Sequence, residues 1–250
     1  MTNIHKTIPD YTPLSFNLHP LNADAGTLRL AVFPKSAAQS AGTIEISGGD
    51  TAILRIDLVP EYSGLDHTEE LLKMIVLYML RDLHIHTLTM DIAHPPDIAP
   101  LLLKYGFVPA DMAAPGNYVR TQAHFFNADK GVAYCGLACC VCSENDQCLG
   151  CRMDGCANKD WCKNRRCCME QALEGCWQCS QFPCKSTMLE KTRVRAFAAY
   201  IRDHGAAQLI QALGRNEASG LMYHYPGKLT GDYDIFEHED EIIRFIDGIR

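Results

Sequence analysis

The stretch YCGLACCVCSENDQCLGC, residues 134–151, places six cysteines within eighteen residues. All thirteen cysteines of the 250-residue chain lie between Cys135 and Cys184, and the residues before and after that segment contain none. The thiols therefore belong to one local module whose composition differs from that of the rest of the chain.

The chain around this module indicates a reducing compartment. The first residues show no basic segment followed by an apolar run, and no stretch approaches the roughly 18 consecutive apolar residues of a membrane helix. We therefore expect a cytoplasmic protein with no membrane partner, in which glutathione keeps thiols reduced. Dense cysteine in that setting indicates metal or redox chemistry more often than disulfides, and the odd count agrees.

The spacing of the cysteines favours metal coordination. Three Cys-x-x-Cys pairs begin at Cys139, Cys148 and Cys176, and each pair presents two thiolates from one tight turn. Zinc and iron–sulfur clusters are bound where four thiolates converge. The twelve predicted ligands are Cys135, Cys139, Cys142, Cys148, Cys151, Cys156, Cys162, Cys167, Cys168, Cys176, Cys179 and Cys184. Cys140 is the thirteenth thiol, and we expect it to be left over.

Zinc is the metal that we expect first, and an iron–sulfur cluster is the alternative that the spacing leaves open. A segment of about fifty residues lacks the area for an independent hydrophobic core, so bound metal would supply much of its folding free energy. The aromatic residues Trp161, Trp177 and Phe182 indicate packing between metal sites. Two arrangements without metal are also open. The thiols could be reduced side chains that fill small apolar positions, or they could form a disulfide framework in an oxidising compartment.

The charge argues against a nucleic-acid partner. The formal net charge is −7, and a four-thiolate zinc site would add about −2 more. Nucleic-acid binding needs the opposite, a basic surface that displaces counterions from phosphate. We therefore expect the partner to be another protein or a small-molecule ligand.

The first half of the chain shows an α/β pattern. Apolar residues alternate along residues 27–32, 43–47 and 52–59 as they do in strands. The apolar positions between Leu72 and Leu83 then repeat at intervals of three and four, which predicts a helix. A further strand, a short helix that ends at Gly106 and a closing strand complete the pattern.

The order of these elements, together with VPEYSG at 59–64 and KYGFVP at 104–109, resembles the GNAT superfamily of acyl-CoA N-acyltransferases over about residues 12–126. The resemblance implies a mixed sheet with helices and, if the protein is an enzyme, an acyl-CoA-dependent N-acyltransferase. It also implies that Ser63, Gly64 and Thr68 lie where the family's backbone amides hold the pyrophosphate of acetyl-CoA.

This loop departs from the family's pattern, because Asp66 stands where the second glycine should be. A carboxylate next to a diphosphate costs on the order of 4 kcal/mol for each pair of charges at about 4 Å and an effective dielectric of about 20. The family's asparagine that contacts CoA and its tyrosine acid fall on Pro95 and Leu102, which cannot perform that chemistry. We therefore expect a degenerate domain, with Glu61 as a candidate general base if it is active.

The second half carries a resemblance of its own. CGLACCVC at 135–142, CWQCSQFPC at 176–184 and GLMYHYPGKLTGDYD at 220–234 together resemble the Cys-rich family called domain of unknown function 3795. The match extends from Tyr134 to about Asp247. It implies metal binding by the cysteines, with no reaction assigned.

The tail is expected to be mostly helical. Residues 186–215 read as two helices, of which the second ends at Gly214, and a terminal amphipathic helix includes residues 242–246. The loop between them concentrates titratable and aromatic groups. In it His224 is a candidate acid/base or spare metal ligand, and Asp232 is its candidate orienting partner.

The sequence thus predicts an acyltransferase-like α/β domain over residues 1–126 and a small, metal-stabilised, mostly helical or irregular Cys-rich domain over residues 127–250. The function that we expect first is metal binding in a binding or regulatory protein. One alternative is an N-acyltransferase that uses acetyl-CoA and to which the Cys-rich domain presents the substrate. The other is an iron–sulfur redox or metal-delivery protein.

Overall fold

The computed structural model describes residues 15–24, 26–49, 51–81, 83, 85, 87–91, 98–111, 117–185 and 188–248. The chain forms two compact units, Met1–Gln122 and Ala123–Arg250. We call them the α/β unit and the Cys-rich unit. The sequence places the boundary slightly later, after residue 126.

The α/β unit is built on one seven-stranded sheet in the order β1-β2-β3-β4-β5-β7-β6. Every neighbouring pair of strands is antiparallel except β4 and β5. The elements are β1 (Phe16–Asp24), β2 (Thr27–Pro34), β3 (Gly42–Gly48), β4 (Thr51–Leu58), α1 (Leu65–Arg81), β5 (Thr87–Asp91), α2 (Ala99–Lys104), β6 (Val108–Pro109) and β7 (Asn117–Thr121). The predicted mixed sheet with helices is therefore confirmed.

The core of the α/β unit follows the alternation of its strands. Leu28, Leu30 and Val32 on β2 are buried, as a two-residue period requires for one face of a sheet. α1 is buried on more than one face, since its residues 74–79 are all shielded from solvent. Leu83, which the periodicity assigns to this helix, lies beyond its last residue.

The edge strand β1 has no counterpart in the sequence prediction. Its residues, FNLHPLNAD, include a proline and several polar side chains, and the register with β2 shifts between Pro20 and Ala23. Proline and bulges are tolerated at a sheet edge because one side of the strand needs no ladder partner. The alternation on which strand prediction depends is therefore interrupted.

The Cys-rich unit is helical and irregular, as predicted. Its α-helices are α3 (Lys163–Glu170), α4 (Thr192–His204), α5 (Ala206–Ala218) and α6 (Glu239–Asp247), and its short 3-10 helices are Ala128–Lys130, Cys139–Val141, Lys159–Trp161, Cys176–Gln178 and Asp232–Asp234. Helices α4, α5 and α6 pack against one another. Val194, Phe197 and Ile201 of α4 and Phe245 of α6 are buried in their core. No helix in the described part of the chain is both long and apolar enough to cross a membrane.

The prediction that α5 ends at Gly214 is wrong, because the helix continues to Ala218. A methyl group added at Gly214 would lie 2.7 Å from the ring of Phe126. The glycine therefore makes room for an aromatic ring inside the helix and does not terminate it. The sequence does not distinguish a glycine that ends a helix from one that allows another residue to pack closely against the helix.

The guanidinium of Arg193 on α4 joins the loop of residues 221–234 to the helices. Arg193 is 2% exposed and donates to the carboxylate of Asp234 at 2.6 Å and to the carbonyl oxygen of Tyr223 at 2.9 Å. It also lies 4.1 Å from the centre of the Tyr223 ring. One buried cation thus fixes both ends of the loop.

Replacing Arg193 with methionine should lower the free energy of unfolding of the Cys-rich unit by about 2–4 kcal/mol, because a partly buried carboxylate and a buried carbonyl lose their donor. Both tryptophans of the chain, Trp161 and Trp177, lie in this unit, so denaturant unfolding followed by tryptophan fluorescence reports on it selectively.

The matched control is Arg244→Met. Arg244 pairs with Asp240 at 3.0 Å on the surface, where both side chains are largely exposed, and such pairs contribute about 0.3–0.5 kcal/mol. Equal shifts of the unfolding midpoint in the two variants would show that Arg193 has no special structural role.

Candidate metal centre

Five cysteines of the Cys-rich unit line a single cavity of about 210 Å³, which we call the five-cysteine cavity. The cysteines are Cys167, Cys168, Cys176, Cys179 and Cys184. Helix α3 supplies two neighbouring thiols, and the 3-10 helix Cys176–Gln178 with the residues that follow supplies three. The rest of the wall is Lys163, Asn164, Leu173, Phe182 and Leu189. Thiols far apart in sequence therefore face one space.

Three of these sulfurs accept hydrogen bonds from N–H groups. The Asn164 side chain donates to Cys176 Sγ at 3.4 Å, the Gln171 side chain donates to Cys167 Sγ at 2.9 Å, and the Gln181 backbone donates to Cys179 Sγ at 3.4 Å. A thiol is a weak acceptor, whereas the negative charge of a thiolate makes it a stronger one. These N–H donors thus favour the thiolate, which is the form of cysteine that binds metal. The spacing of the cysteines gives no indication of these donors.

Cys168 and Cys176 form the closest pair in the cavity, with their Sγ atoms 3.8 Å apart. Both side chains are buried. Burial, reinforced by the nearby Cys176, raises the pKa of the Cys168 thiol to about 12. In the absence of a neighbouring cation this thiol is therefore protonated at neutral pH.

A second group of thiols consists of two Cys-x-x-Cys pairs, Cys139 with Cys142 and Cys148 with Cys151, which we call the facing pairs. A methyl group added at Gly150 would lie 3.6 Å from Cys139 Sγ, so the turn of the second pair passes directly against a thiol of the first. Burial raises the pKa of Cys139 to about 12, and the other three thiols of the group add to that shift. The two turns therefore share one local environment.

His224 lies beside the facing pairs. Its Nδ1 atom is 3.0 Å from Ser143 Oγ and 3.9 Å from Cys142 Sγ. Burial, together with the positive charges of Arg193 and Lys191, lowers the pKa of His224 to about 4, so the imidazole is neutral at pH 7. A neutral imidazole is the form that binds metal ions. The structure thus places this residue next to a predicted ligand.

Asp232, the predicted orienting partner of His224, is 1% exposed. Its carboxylate accepts hydrogen bonds from the backbone of Met222 at 2.6 Å and from the hydroxyl of Tyr225 at 2.8 Å. These bonds hold the backbone of the loop that carries His224. The role proposed for Asp232 toward the imidazole itself stays a prediction.

The three remaining predicted ligands, Cys135, Cys156 and Cys162, belong to neither group. Cys135 is buried, and burial raises the pKa of its thiol. Cys156 lies near Cys148, whose charge contributes to the raised pKa of Cys156 after the larger effect of burial. Cys162 Sγ accepts a hydrogen bond from the backbone of Arg165 at 3.5 Å and so caps the start of α3.

The sulfurs do not converge on a single point. Within the part of the chain that the structure describes, no group of three or more His, Cys, Asp or Glu side chains is arranged to hold one metal ion. A tetrahedral zinc site with Zn–S bonds of about 2.3 Å needs four sulfurs about 3.8 Å from one another. In the five-cysteine cavity, the pair Cys168 and Cys176 meets that separation.

The residues predicted to hold acetyl-CoA lie in the α/β unit. Ser63 Oγ donates to the Pro60 carbonyl at 2.9 Å, and Thr68 Oγ1 donates to the Gly64 carbonyl at 3.1 Å. Both hydroxyls thus stabilise the loop and the first turn of α1. Glu61 is exposed on the 3-10 helix Pro60–Tyr62.

Of the two positions that the resemblance assigns to the family's asparagine and tyrosine, the structure describes one, Leu102. Leu102 is fully buried in α2, which fits an apolar packing role. Pro95 lies outside the described residues.

β4 and β5 are the parallel strands of the sheet, and they pair over a short length. The register runs from Thr51 opposite Thr87 to Leu54 opposite Met90, whereas β4 continues to Leu58. Among the described residues, this pairing with β5 covers the first half of β4. In open α/β sheets ligands enter at the carboxyl ends of strands.

Comparison with known families supports the second resemblance over part of the chain. Residues 143–189 match the family described as Protein of unknown function (DUF3795). This region contains the second of the facing pairs and the whole five-cysteine cavity. No curated protein matches the chain.

Solved structures of acetyltransferases share features with this chain at low similarity. The ribosomal-protein-S5-alanine acetyltransferase from Vibrio fischeri is 16% identical, with a TM-score of 0.34, and the match covers 39% of this chain and 62% of that one. A spermidine N-acetyltransferase from Vibrio cholerae is 18% identical, with a TM-score of 0.34 and coverages of 39% and 66%.

An N-acetyltransferase from Campylobacter jejuni is likewise 18% identical, with a TM-score of 0.32 and coverages of 38% and 67%. The chain thus spans about two thirds of the length of these proteins or less. Its Cys-rich unit is similar to a family whose description assigns no reaction.

Proposed function

We propose that the protein binds metal through the thiolates of its Cys-rich unit and that this metal-bound unit serves a binding or regulatory role. The observation that carries the proposal is the five-cysteine cavity, in which thiols from two elements face one space. Zinc ions and iron–sulfur clusters are both bound by cysteine sulfur. The facing pairs supply a second set of four thiols.

The energetics of the unit support the same proposal. Cys135, Cys151, Cys168 and Cys176 are core residues around which Leu189 and Val194 pack. A cysteine side chain buries less apolar surface than a leucine or phenylalanine, so such a core contributes less hydrophobic free energy. Metal–thiolate bonds can supply the difference, because binding to the folded state alone stabilises that state.

An exposed apolar segment near the thiols supports a role in binding a partner. Trp161 is 86% exposed, and Met153 and Leu149 are more than half exposed. Isolated exposed apolar residues are common, but a tryptophan exposed to this degree is typical of contact surfaces. We infer that the metal centre holds this segment in the shape that another protein or a small molecule recognises.

Acetyl-CoA-dependent acylation is the second candidate function. The observation in its favour is the parallel pairing of β4 and β5 within the mixed sheet, with the carboxyl end of β4 close in sequence to the start of α1. Against it stands Asp66 in the first turn of α1, where a carboxylate repels a diphosphate. In this second candidate the Cys-rich unit would present the substrate.

Substitution of single cysteines tests metal binding. Cys139→Ser should lower the metal content of the anaerobically purified chain, because Cys139 belongs to the facing pairs. Cys140→Ser is the matched control and should leave it unchanged. The Cys140 thiol is buried, and the pKa of this thiol is raised by burial and by the charge of Glu217, which places it toward α5.

The measurement is elemental analysis for zinc and iron together with assay of sulfide, with circular dichroism to confirm that each variant is folded. Equal metal content in the two variants would remove the facing pairs from the ligand set. A folded wild-type chain that contains no metal after anaerobic purification would contradict the proposal as a whole.

Calorimetric titration with acetyl-CoA distinguishes the two candidate functions. We expect no heat of binding, because Asp66 opposes the pyrophosphate. The Asp66→Gly variant is the informative companion, since it restores a glycine where the loop departs from the family pattern. Micromolar binding by the unmodified chain would favour the acyltransferase.

A further inference from the structure

We propose that the five-cysteine cavity binds an iron–sulfur cluster, with Cys167, Cys176, Cys179 and Cys184 as its four ligands. This inference rests on the proposed function, since it names the metal species and the ligand set of one of the two thiol groups. It assigns Cys168, which lines the same cavity, a role other than ligation.

The size of the cavity favours a four-iron cluster over a single zinc ion. A single zinc ion draws four sulfurs to within about 3.8 Å of one another and leaves no space between them. Here five thiols line a cavity of about 210 Å³, and in the described part of the chain no three potential ligands meet around one point. A four-iron cluster places iron and sulfide ions between its cysteines, so it requires thiols spread around such a space.

The distances within the cavity select the ligands. In a four-iron cluster each iron takes its own cysteine, so two ligating sulfurs belong to different irons and are held apart. Cys168 Sγ and Cys176 Sγ are only 3.8 Å apart, so at most one of the two is a ligand. Cys176 shares a Cys-x-x-Cys turn with Cys179 and therefore belongs to the ligand set. Cys168 is excluded, and Cys167 becomes the ligand from α3.

The hydrogen bonds agree with this choice. The N–H donors of Gln171, Asn164 and Gln181 reach Cys167, Cys176 and Cys179 respectively, and these are three of the four selected thiols. N–H donors stabilise the negative charge that a cluster delocalises onto its cysteine sulfurs. Hydrogen bonding of this kind is the usual surrounding of cluster ligands.

The remaining wall of the cavity suits a negatively charged, oxygen-sensitive group. Lys163 brings a positive charge to the cavity, and Leu173, Phe182 and Leu189 supply apolar surface. Leu189 is 2% exposed. The cation offsets part of the cluster's charge, and the apolar side chains cover one side of it, whereas the exposed Cys167 and Cys184 lie on the side open to solvent.

Anaerobic reconstitution of the full chain tests the proposal. The chain is stripped of metal with a chelator under reducing conditions and incubated with ferric iron, sulfide and excess thiol. The thiol reduces part of the iron to the ferrous state, so that the mixed ferric and ferrous cluster can assemble, and excess reagents are then removed. We expect a brown protein with broad visible absorption and about four iron and about four sulfide per chain bound at this cavity.

Three alanine variants test the ligand set. Cys167 and Cys184 are exposed, so Cys167→Ala and Cys184→Ala should leave the fold intact and should lose the absorption together with the iron and sulfide. Cys168→Ala should retain them. Circular dichroism of each variant verifies folding, and an electron paramagnetic resonance spectrum of the reduced protein gives a readout that adventitious iron does not reproduce.

The possible failures are distinguishable. A colourless chain that takes up zinc but assembles no cluster would overturn this inference and leave thiolate metal binding standing. A chain that binds neither would overturn both. Loss of the cluster in Cys168→Ala with its retention in Cys167→Ala would overturn the proposed ligand set.

Discussion

The cysteine-containing segment of the Cys-rich unit depends on one constraint, which is that thiols form a large part of its buried interior. Between Val132 and Leu189 the buried positions include five cysteines, with Trp177 the largest apolar side chain among them. Thiols bury little apolar area, and each stays protonated at neutral pH when burial raises its pKa as it does at Cys139 and Cys168. The proposed metal would resolve both difficulties, since a bound cation stabilises thiolates and joins segments that side-chain packing alone holds weakly.

The helical tail takes part in the same unit. The hydroxyl of Tyr223 accepts a hydrogen bond from the backbone of Ala138 at 3.2 Å, and His224 lies against Ser143 and Cys142. The loop that carries these residues is fixed by Arg193 and Asp232. A change in the loop would therefore reach the facing pairs directly, which explains how a segment without cysteines can be part of a cysteine-based module.

Much of the fold could be predicted from sequence because its signals are local. The alternation along β2 and the three-and-four spacing in α1 each arise within one element. The edge strand β1 was missed because Pro20 interrupts its pattern, and the end of α5 was misplaced because the role of Gly214 is set by Phe126, which is distant in sequence. Cysteine spacing likewise gives candidate ligands, which stay predictions, but it does not show which thiols lie together. The grouping of Cys167 with Cys184, and the donors Asn164 and Gln171, depend on how α3 meets the turn at Cys176. One local signal was available, since Asn164 and Cys168 lie four residues apart and so share a face of α3.

Hydrogen–deuterium exchange of the full chain, measured before and after removal of metal with a chelator, tests the central claim most directly. If metal–thiolate bonds hold the Cys-rich unit together, backbone amides within residues 135–184 should lose protection when the metal is removed, while those of β2, β3 and β4 in the α/β unit should keep it. Unchanged protection across residues 135–184 after complete removal of metal would contradict the account.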